Sequence, residues 1–462
     1  MSTDTVGQSS RQAIWPDGFP RPEFPYSPGV KAGGWVFASG QMATDLVNGI
    51  KPEARLNERN PHLADTTELQ SWALMKNLSE IMSAAGADIN AHSARIQQWR
   101  VSDRPTLAEL EQGNTWTGLS VTPYYRARNH YIQEPRPAST GMGVRRLLLN
   151  GGVIGVDMIA VGPEGGPGKS GVDVPEGVAT PLAGYSPAVL NGDWVFLAGE
   201  IPTDWQGDFM SERYMGERSS VAPEARVNPF FWYGSPIEKQ TDYTLQKLDK
   251  IAEAAGTSLS RCVKANVYLA HPNDYQDMDR VWKQWFPTDP PARVVIPYMG
   301  LGGMGTRIEI DMILLNNDSK LERKTISADS AFEPLGHEPQ AMQAGEFLFF
   351  STQVPTGPEG VADELLGHPE LPFSQDITRV QASRMFDSMS ALCEAAGTSL
   401  ENLCQVKEFY EDLSSFSAVR EEWRSRFGDS PPASTSVEVG ASLIAPGARI
   451  LMDAIGHVPA AS

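Results

Sequence analysis

The sequence predicts an α+β fold that is repeated three times in tandem along the chain. Three segments resemble one another, and each runs from a glycine-containing turn through apolar β-forming residues to a small residue and a Gln or Glu. They are GGWVFASGQMATD from Gly33, NGDWVFLAGEIPTD from Asn191 and AGEFLFFSTQVPTG from Ala344. Such segments are typical of strands that leave a hairpin. A length of 462 residues also favours about three domains.

Each repeat continues with an amphipathic helix. The three helices end on the same small-residue pattern, in which Gly86, Gly256 and Gly397 occupy the position of a left-handed C-cap. A strand, a second helix rich in aromatic residues and a proline-marked pair of strands follow in each repeat. This order predicts domains at residues 20–162, 178–316 and 330–458, with connectors at 162–177 and 316–325.

Composition and charge exclude several classes of function. The chain has 57 Asp and Glu against 38 Lys and Arg, and its net charge of -19 repels nucleic acid and anionic lipid. We therefore expect neither nucleic acid nor membrane as a partner. Three cysteines without CxxC spacing and seven scattered histidines predict no disulfide framework and no metal site. The absence of a signal sequence or a long apolar run predicts a cytoplasmic protein.

The motifs resemble the RidA family, also called YjgF, of reactive-intermediate deaminases. The resemblance is strongest in the second repeat, through VFLAGEIPTD, AEAAGTSLSRCVKANVYL, PPARVVI and IEIDMIL. It implies that each repeat is a chorismate-mutase-like domain with a six-stranded mixed sheet and two helices. Family members typically form homotrimers with active sites between subunits. Three joined copies therefore imply a monomeric, intramolecular pseudo-trimer, and further self-association stays open.

The resemblance also implies an Arg in the PAR turn that binds the substrate carboxylate and a Glu on the last strand that holds the attacking water. In the second repeat these are Arg293 and Glu309. The matching positions are Ser139 and Gly155 in the first repeat, and Ser434 and Leu451 in the third. Because both residues are retained only in the second repeat, we expect that repeat to be catalytic and the other two to be degenerate. Because an imine is already electrophilic, its hydrolysis by a guanidinium and a water-holding carboxylate requires neither a metal nor an organic cofactor.

Further positions are expected to bind substrate. Tyr185 matches a family Tyr near the first strand, and the corresponding residues are Tyr26 in the first repeat and Glu338 in the third. Ser39 and Ser351 supply a small hydroxyl at the strand end, where the second repeat has Ala198. The family Asn of the second helix is replaced by Asp279 and Arg420. By contrast, an acidic residue kept in all three repeats is expected to be structural: Asp157, Asp311 and Asp453.

Two insertions outside the family pattern are also candidates. The first and second repeats share a PEAR motif, whose Arg55 and Arg226 would either contact the substrate or pair with a neighbouring acidic residue. The second repeat also has an aromatic-rich segment that includes Trp205 and Trp232. If this segment covers the cleft, the substrate is expected to be larger than a three-carbon enamine and ring-derived.

The leading functional hypothesis is a cofactor-independent hydrolytic deaminase of a small-molecule imine or enamine that bears a carboxylate. An aminomuconate-like intermediate of aromatic catabolism is one such substrate. One alternative is chorismatase-like chemistry on a cyclic carboxylate, which need not release ammonia. The other is a non-catalytic protein that binds a metabolite.

Overall fold

The computed structural model describes residues 11–102, 121–204, 220–228, 230, 234–300, 303, 305–357, 360–371 and 374–460. Within these ranges the chain forms three units, and each unit is a mixed sheet backed by two helices longer than one turn. The equivalent strands follow the same order in all three sheets.

The first unit has the sheet order β1-β2-β3-β7-β4-β5. Its strands are β1 (Gln12–Ile14), β2 (Gly29–Ala32), β3 (Trp35–Gln41), β4 (Ser93–Val101), β5 (Ala138–Val144) and β7 (Ile154–Val161). Its helices are α1 (Thr66–Ala84), the single turn α2 (Ile89–His92) and α3 (Thr122–Tyr131). Strands β4 and β5 are parallel, and the other neighbours are antiparallel.

The second unit repeats this arrangement in the order β8-β9-β10-β13-β11-β12. Its strands are β8 (Ser170–Gly171), β9 (Ala188–Asn191), β10 (Trp194–Glu200), β11 (Cys262–Leu269), β12 (Ala292–Pro297) and β13 (Ile308–Leu315). Its helices are α4 (Pro236–Ala254) and α5 (Tyr275–Trp285).

The third unit has the order β14-β15-β16-β21-β19-β20. Its strands are β14 (Arg323–Ile326), β15 (Ala341–Ala344), β16 (Phe347–Phe350), β19 (Leu403–Tyr410), β20 (Ala433–Glu438) and β21 (Ile450–His457). Its helices are α6 (Ile377–Ala395) and α7 (Phe416–Phe427), and a small hairpin pairs β17 (Thr356–Gly357) with β18 (Gly360–Val361). The short strand β6 (Arg146–Leu147) of the first unit joins this sheet as a seventh strand.

The long helices begin and end where the sequence predicts. Asp65, Ser235 and Asp376 cap the N-termini of α1, α4 and α6 with their side chains. The predicted C-cap glycines, Gly86, Gly256 and Gly397, have φ values of 75°, 71° and 81°. Among the described residues, no helix combines the length and apolar character that crossing a bilayer requires.

The sheets are buried on both faces. On one face, each sheet packs against its own helices and forms a separate hydrophobic core. On the other face, the three sheets pack against one another and share two central cores. At one of these cores, the first residues of β3, β10 and β16, which are Trp35, Trp194 and Phe347, contact one another with ring centroids 4.4 to 5.9 Å apart.

A ring of buried ion pairs joins the units. One pair links each unit to the next: Arg95 with Asp311 at 2.7 Å, Lys264 with Asp453 at 2.6 Å and Lys407 with Asp157 at 2.7 Å. The structural role expected of the three aspartates is thus confirmed. Each carboxylate neutralises a cation that the neighbouring unit buries, because a charge in the interior must be paired.

The connectors contain more structure than the sequence indicates. Residues 170–171 and 323–326, which lie within or overlap the predicted connectors, form β8 and β14 at the sheet edges. Their sequences are polar because an edge strand can pair through its backbone while its side chains stay in solvent.

Candidate active site

The units meet at three clefts, and each cleft takes residues from two units. One unit contributes the end of its parallel strand pair, and the next contributes its first hairpin and last strand. We name them cleft A, between the first and second units, cleft B, between the second and third, and cleft C, between the third and first.

Ser39 and Ser351 connect units and are not placed to bind substrate, which corrects the sequence interpretation. The Ser39 hydroxyl accepts a hydrogen bond from the Ser434 backbone N–H at 2.7 Å across cleft C. The Ser351 hydroxyl accepts one from the Arg293 N–H at 3.1 Å across cleft B. Both side chains are buried, and both oxygens are used by the neighbouring backbone.

Arg293 and Glu309 do not share a cleft, so their predicted pairing in one active site is wrong. Arg293 lies opposite Ala265 on β11, whereas Glu309 lies opposite Tyr268, three residues further along and on the other side of that strand. Strand spacing and rise place their Cα atoms about 14 Å apart. The two side chains also leave opposite faces of the sheet, because Val295, two residues after Arg293, and Ile308 and Ile310 beside Glu309 pack in the helix-side core.

Arg293 is completely buried in cleft B, with 0% exposure. Its Nη2 donates to Glu338 of the third unit and to Asp279 at 2.5 Å, and it lies 3.3 Å from the Tyr275 hydroxyl. The guanidinium also packs over Trp282 at 4.9 Å. A cation held by two carboxylates is not available to anchor a substrate.

Glu309 instead faces cleft A, where a cavity of about 370 Å³ lies between the first and second units. The first unit contributes Gln98, Arg100, Val121, Thr122, Tyr125, Ser139, Gly141 and Met142. The second contributes Ala179, Pro181, Leu182, Ala183, Tyr185, Gly199, Glu200, Ile201, Thr203, Lys247, Gly300 and Glu309. The residue across from Glu309 at the PAR position is therefore Ser139, not Arg293.

Arg100 supplies the cation that Ser139 lacks. It is the last but one residue of β4, it is only 7% exposed, and it donates to the Gln98 side chain. No carboxylate of the described residues forms an ion pair with it, and its Nε is buried without a partner there. Burial lowers the pKa of Arg100, and nearby Tyr125, Tyr124 and Glu309 oppose that shift.

Glu309 is 6% exposed and lies over Gly199, where a side chain would collide with its Oε1. Burial raises the pKa of Glu309 well above its usual range, and the charges of Asp311 and Glu200 raise it further. Lys247 and Arg100 act in the opposite direction. A buried carboxyl with a raised pKa can act as an acid near neutral pH and then accept a proton back.

An ion pair lines the same cavity. Lys247 lies 2.8 Å from Glu200 and donates to the carbonyls of Ile201 and Thr203 at 2.9 and 3.0 Å. Both charged residues are buried. Since these three oxygens already bind the ammonium group, Lys247 is committed and Arg100 is the better candidate for binding an anion.

Two other groups complete the cavity wall. Tyr185 lines the cavity as its sequence position suggests, with its hydroxyl 3.4 Å from the Gly199 carbonyl. Burial raises the pKa of Tyr185 well above its usual range, so this hydroxyl stays protonated. Opposite it, Gln98 donates to the Ser139 hydroxyl at 2.9 Å.

Cleft C is nearly filled. Tyr26, Gly155 and Ser434 line a cavity of about 20 Å³, which has room for about one water molecule. Phe24 and Phe416 pack edge to face above it, with ring centroids 5.4 Å apart. A substrate of several carbons does not fit there without moving these rings.

The two PEAR arginines bond within their own loops. Arg55 donates to the Ile50 carbonyl at 2.8 Å, and Arg226 donates to the Val221 carbonyl at 2.7 and 2.9 Å. Arg55 lines an open groove of about 570 Å³ beside cleft C, so neither arginine lines the cleft A cavity. The predicted substrate contacts Trp205 and Trp232 lie outside the described residues.

Sequence reasoning missed Arg100, Gln98, Glu200 and Lys247. A signal was present for Arg100, because the equivalent strand positions hold Leu269 and Tyr410, so a cation there is unusual. Within the described ranges, no cluster of three His, Cys, Asp or Glu side chains is arranged to hold a metal ion.

Comparison with known proteins identifies one family profile and several relatives that match parts of this chain. The family profile described as Endoribonuclease L-PSP matches residues 230–315 and 328–458. Over 137 residues the chain is 31% identical to a RutC family protein of Pyrococcus abyssi, covering 30% of this chain and 98% of that protein. It is 30% identical over 131 residues to a RutC family protein of Sinorhizobium fredii, covering 28% of this chain and 85% of the relative.

A solved structure of RidA from an Antarctic Psychrobacter is 26% identical, with a TM-score of 0.25, and the match covers 29% of this chain and 99% of that one. The sheets, helices and inter-unit clefts define an α+β protein with RidA-like units. The sequence matches establish that the chain belongs to the RutC and RidA family, also called YjgF.

Proposed function

We propose that this protein is a hydrolytic deaminase of a carboxylate-bearing imine or enamine, and that it works in cleft A alone. The observation that carries this proposal is that Arg100, which has no carboxylate partner among the described residues, and Glu309, a carboxyl with a raised pKa, line one cavity of about 370 Å³. Family membership is consistent with this activity.

We also propose that the three units reproduce a family trimer within one chain. Support comes from the shared strand order, the ring of three ion pairs and the contact of the equivalent residues Trp35, Trp194 and Phe347. The domain bounds 20–162, 178–316 and 330–458 remain part of this proposal, with β1, β8 and β14 extending the units at their N-terminal sides.

In the proposed reaction, Arg100 binds the substrate carboxylate. A guanidinium can form two parallel hydrogen bonds to a carboxylate, and such bonds are stronger in a buried cleft than in water. Ser139 takes the place of the family Arg, so the anchor has moved from β5 to β4 within the same unit.

Glu309 supplies the proton transfers. Its carboxyl donates a proton to the imine nitrogen while water attacks the imine carbon, and the resulting carboxylate takes a proton from that water. The carbinolamine then expels ammonia and leaves a ketone or aldehyde, so one imine and one water give one carbonyl compound and one ammonia. The raised pKa of Glu309 suits a group that alternates between acid and base.

The cavity favours a substrate larger than three carbons. Its volume falls in the range of roughly 300–1,000 Å³ that holds drug-sized ligands. Met142, Leu182 and Ile201 offer apolar surface, and Tyr125 and Tyr185 offer aromatic surface. An aminated ring-cleavage acid of the aminomuconate kind would have this combination of size, carboxylate and imine.

The test compares R100A and E309Q with the control R55A, which removes an exposed arginine outside cleft A. The imine is generated in place, and ammonia release is measured. R100A should lower kcat/KM roughly 10- to 150-fold, which is the effect expected from losing hydrogen bonds to a charged group. E309Q should lower kcat by about 10² to 10⁴. R55A should retain full activity.

The same assay separates the alternatives. Unchanged turnover in R100A and E309Q would overturn the assignment of cleft A. A carboxylate product formed without ammonia would favour chorismatase-like chemistry, and saturable binding without any product would favour a metabolite-binding protein. The family profile is named for an endoribonuclease, but a net charge of -19 opposes RNA binding.

A further inference from the structure

Cleft B contains a carboxylate of its own. Glu338, on the segment that precedes β15 in the third unit, reaches across the cleft and bonds Nη2 of Arg293. Glu338 is 7% exposed and Arg293 is fully buried. The position that this carboxylate occupies on the guanidinium is one that a small carboxylate ligand would take.

Glu338 replaces a tyrosine that the other two repeats have at the equivalent position. The first and second units have Tyr26 and Tyr185 at this position, and Tyr185 lines the open cavity of cleft A. A tyrosine adds no negative charge to its cleft, whereas Glu338 adds a second carboxylate to Arg293 beside Asp279. The replacement therefore turns a wall residue into an internal ligand.

The segment around Glu338 is fixed against the second unit. The His337 backbone N–H donates to Asp279 at 3.1 Å, and the His337 ring lies 2.6 Å from the Phe286 carbonyl oxygen. A side chain at Gly336 would approach Arg293 Nη2 to 2.8 Å, so the backbone itself lies against the guanidinium. These contacts hold Glu338 in place and close the cleft.

The hydrogen bonding between the Arg293 guanidinium and the Glu338 carboxylate is incomplete. Nε of Arg293 and Oε1 of Glu338 are both buried without a hydrogen-bond partner among the described residues. A tethered carboxylate thus makes one bond where a free one could rotate to make two. An unsatisfied buried polar atom is costly, which indicates that the site would accept a better-oriented anion.

We propose that cleft B is a latent carboxylate-binding site in which Glu338 acts as an internal ligand of Arg293. The native chain then binds one carboxylate per chain, in cleft A, while cleft B holds its own. The site also has Tyr275 and Asp279 on its helix side. If Glu338 were removed, an added anion would supply the negative charge that Glu338 now places beside Arg293 and Asp279.

The experiment uses E338A and acetate, which has the atoms that this substitution removes. Calorimetry and thermal unfolding are measured with acetate and with its neutral isostere acetamide. E338A should gain one acetate site beyond those of the native chain, and acetate should raise its Tm saturably. E338A/R293M should gain no site. In E338Q the glutamine side chain still fills the space, so the response of this variant to acetate should equal that of the native chain.

The arms also separate this site from cleft A. Adding R100A to E338A should leave the new acetate site intact, so failure of the proposed catalytic function would not affect this result. If E338A does not fold alone, acetate and not acetamide should restore its refolding yield. No added site in E338A, or an equal one in E338A/R293M, would overturn the proposal.

Discussion

Glu309 and Glu200 show how buried charges at single positions set the chemistry of cleft A. The two carboxyl groups line one cavity, and Lys247 pairs with Glu200. Because the pKa of Glu309 is raised in the folded chain, folding favours its protonated form. Its contribution to stability is therefore present at low pH and is lost as the pH rises above the unfolded value of about 4.3 toward the raised folded value.

Substituting Glu200 should shift the pH dependence of the reaction. The negative charge of Glu200 raises the pKa of Glu309, and the other two units have Gln41 and Gln353 at this position. In E200Q the pKa of Glu309 should fall, so activity that needs its proton should decline from a lower pH. The measurement is kcat/KM against pH, with a carboxyl titration of Glu309 by NMR.

The exposed carboxylate Glu164 provides the control, because E164Q removes one negative charge far from this chemistry. Its pH profile should match that of the native chain. A profile for E200Q that stays in place or moves to higher pH would contradict the role assigned to Glu309.

At the same scale, the residue types of the site were easier to predict than their partners. The sequence identifies Glu309 and Tyr185 as pocket residues by position, and both line the cleft A cavity. The predicted pairing of Arg293 with Glu309 was wrong because both residues belong to the second repeat, whereas each cleft is formed by two repeats. Arg100 has no counterpart in the family pattern, and its contrast with Leu269 and Tyr410 indicates a function only once the folded strands place it in the same cavity as Glu309.

Among the elements, the strand after the second helix distinguishes the open cleft A from the closed cleft B. Its inward positions hold Ser139 and Gly141 on β5, but Arg293 and Val295 on the equivalent strand β12. The smaller pair on β5 leaves the space that becomes the cleft A cavity. On β12, Arg293 fills the corresponding space in cleft B, where it bonds Glu338 of the third unit.

Restoring bulk on β5 should separate stability from binding. A Cβ on Gly141 would lie 3.5 Å from Gln98 and 3.8 Å from Arg100 Nη2, which is ordinary van der Waals contact, so a larger side chain there would lie against the cation. G141V should raise the free energy of unfolding by about 0.5–1 kcal/mol, because glycine weakens a strand interior. It should also weaken binding of bulky carboxylates at least tenfold, measured by calorimetry.

G141A is the graded control for this substitution, and it should affect binding less than G141V. Equal affinity for bulky acids in G141V and the native chain would show that the ligand does not occupy this part of the cavity.

The sequence predicted the main elements well and the edge strands poorly. Glycine caps, strand motifs and helix periodicity are local signals, and the structure follows them at Gly86, Gly256 and Gly397. Strand β6 pairs with β20 of another unit, and β8 and β14 pair with the next strand of their own unit across an intervening loop. Polar edge segments have no periodic pattern, so they resemble connectors until the sheet is assembled.

Across the whole molecule, the ring of ion pairs links the stability of each unit to its neighbours. Arg95 of the first unit and Asp311 of the second are both buried, and each would be left as an uncompensated charge without the other. A buried pair gives little net stability compared with apolar residues, but losing one partner is costly. The ring therefore specifies which faces of the units meet.

Breaking the pair at Arg95 should destabilise the chain as a whole. R95M should lower the free energy of unfolding by about 3–5 kcal/mol, because Asp311 is left buried without its cation. Urea unfolding followed by circular dichroism and by tryptophan fluorescence should give one coincident transition. The control K31M breaks a more exposed pair with Glu164 and should cost no more than about 1 kcal/mol.

A loss of stability in R95M no larger than that in K31M would show that this ion pair does not link the stability of the units.

The three clefts, one open, one closed by Glu338 and one filled by Phe24 and Phe416, differ because every position occurs once in the covalently joined chain. In an assembly of identical subunits, a substitution is copied to every interface at the same moment, and any harm it does is tripled. Here natural selection can alter one interface at a time, so two of them are free to specialise in holding the units together while the third keeps an open cavity between its units.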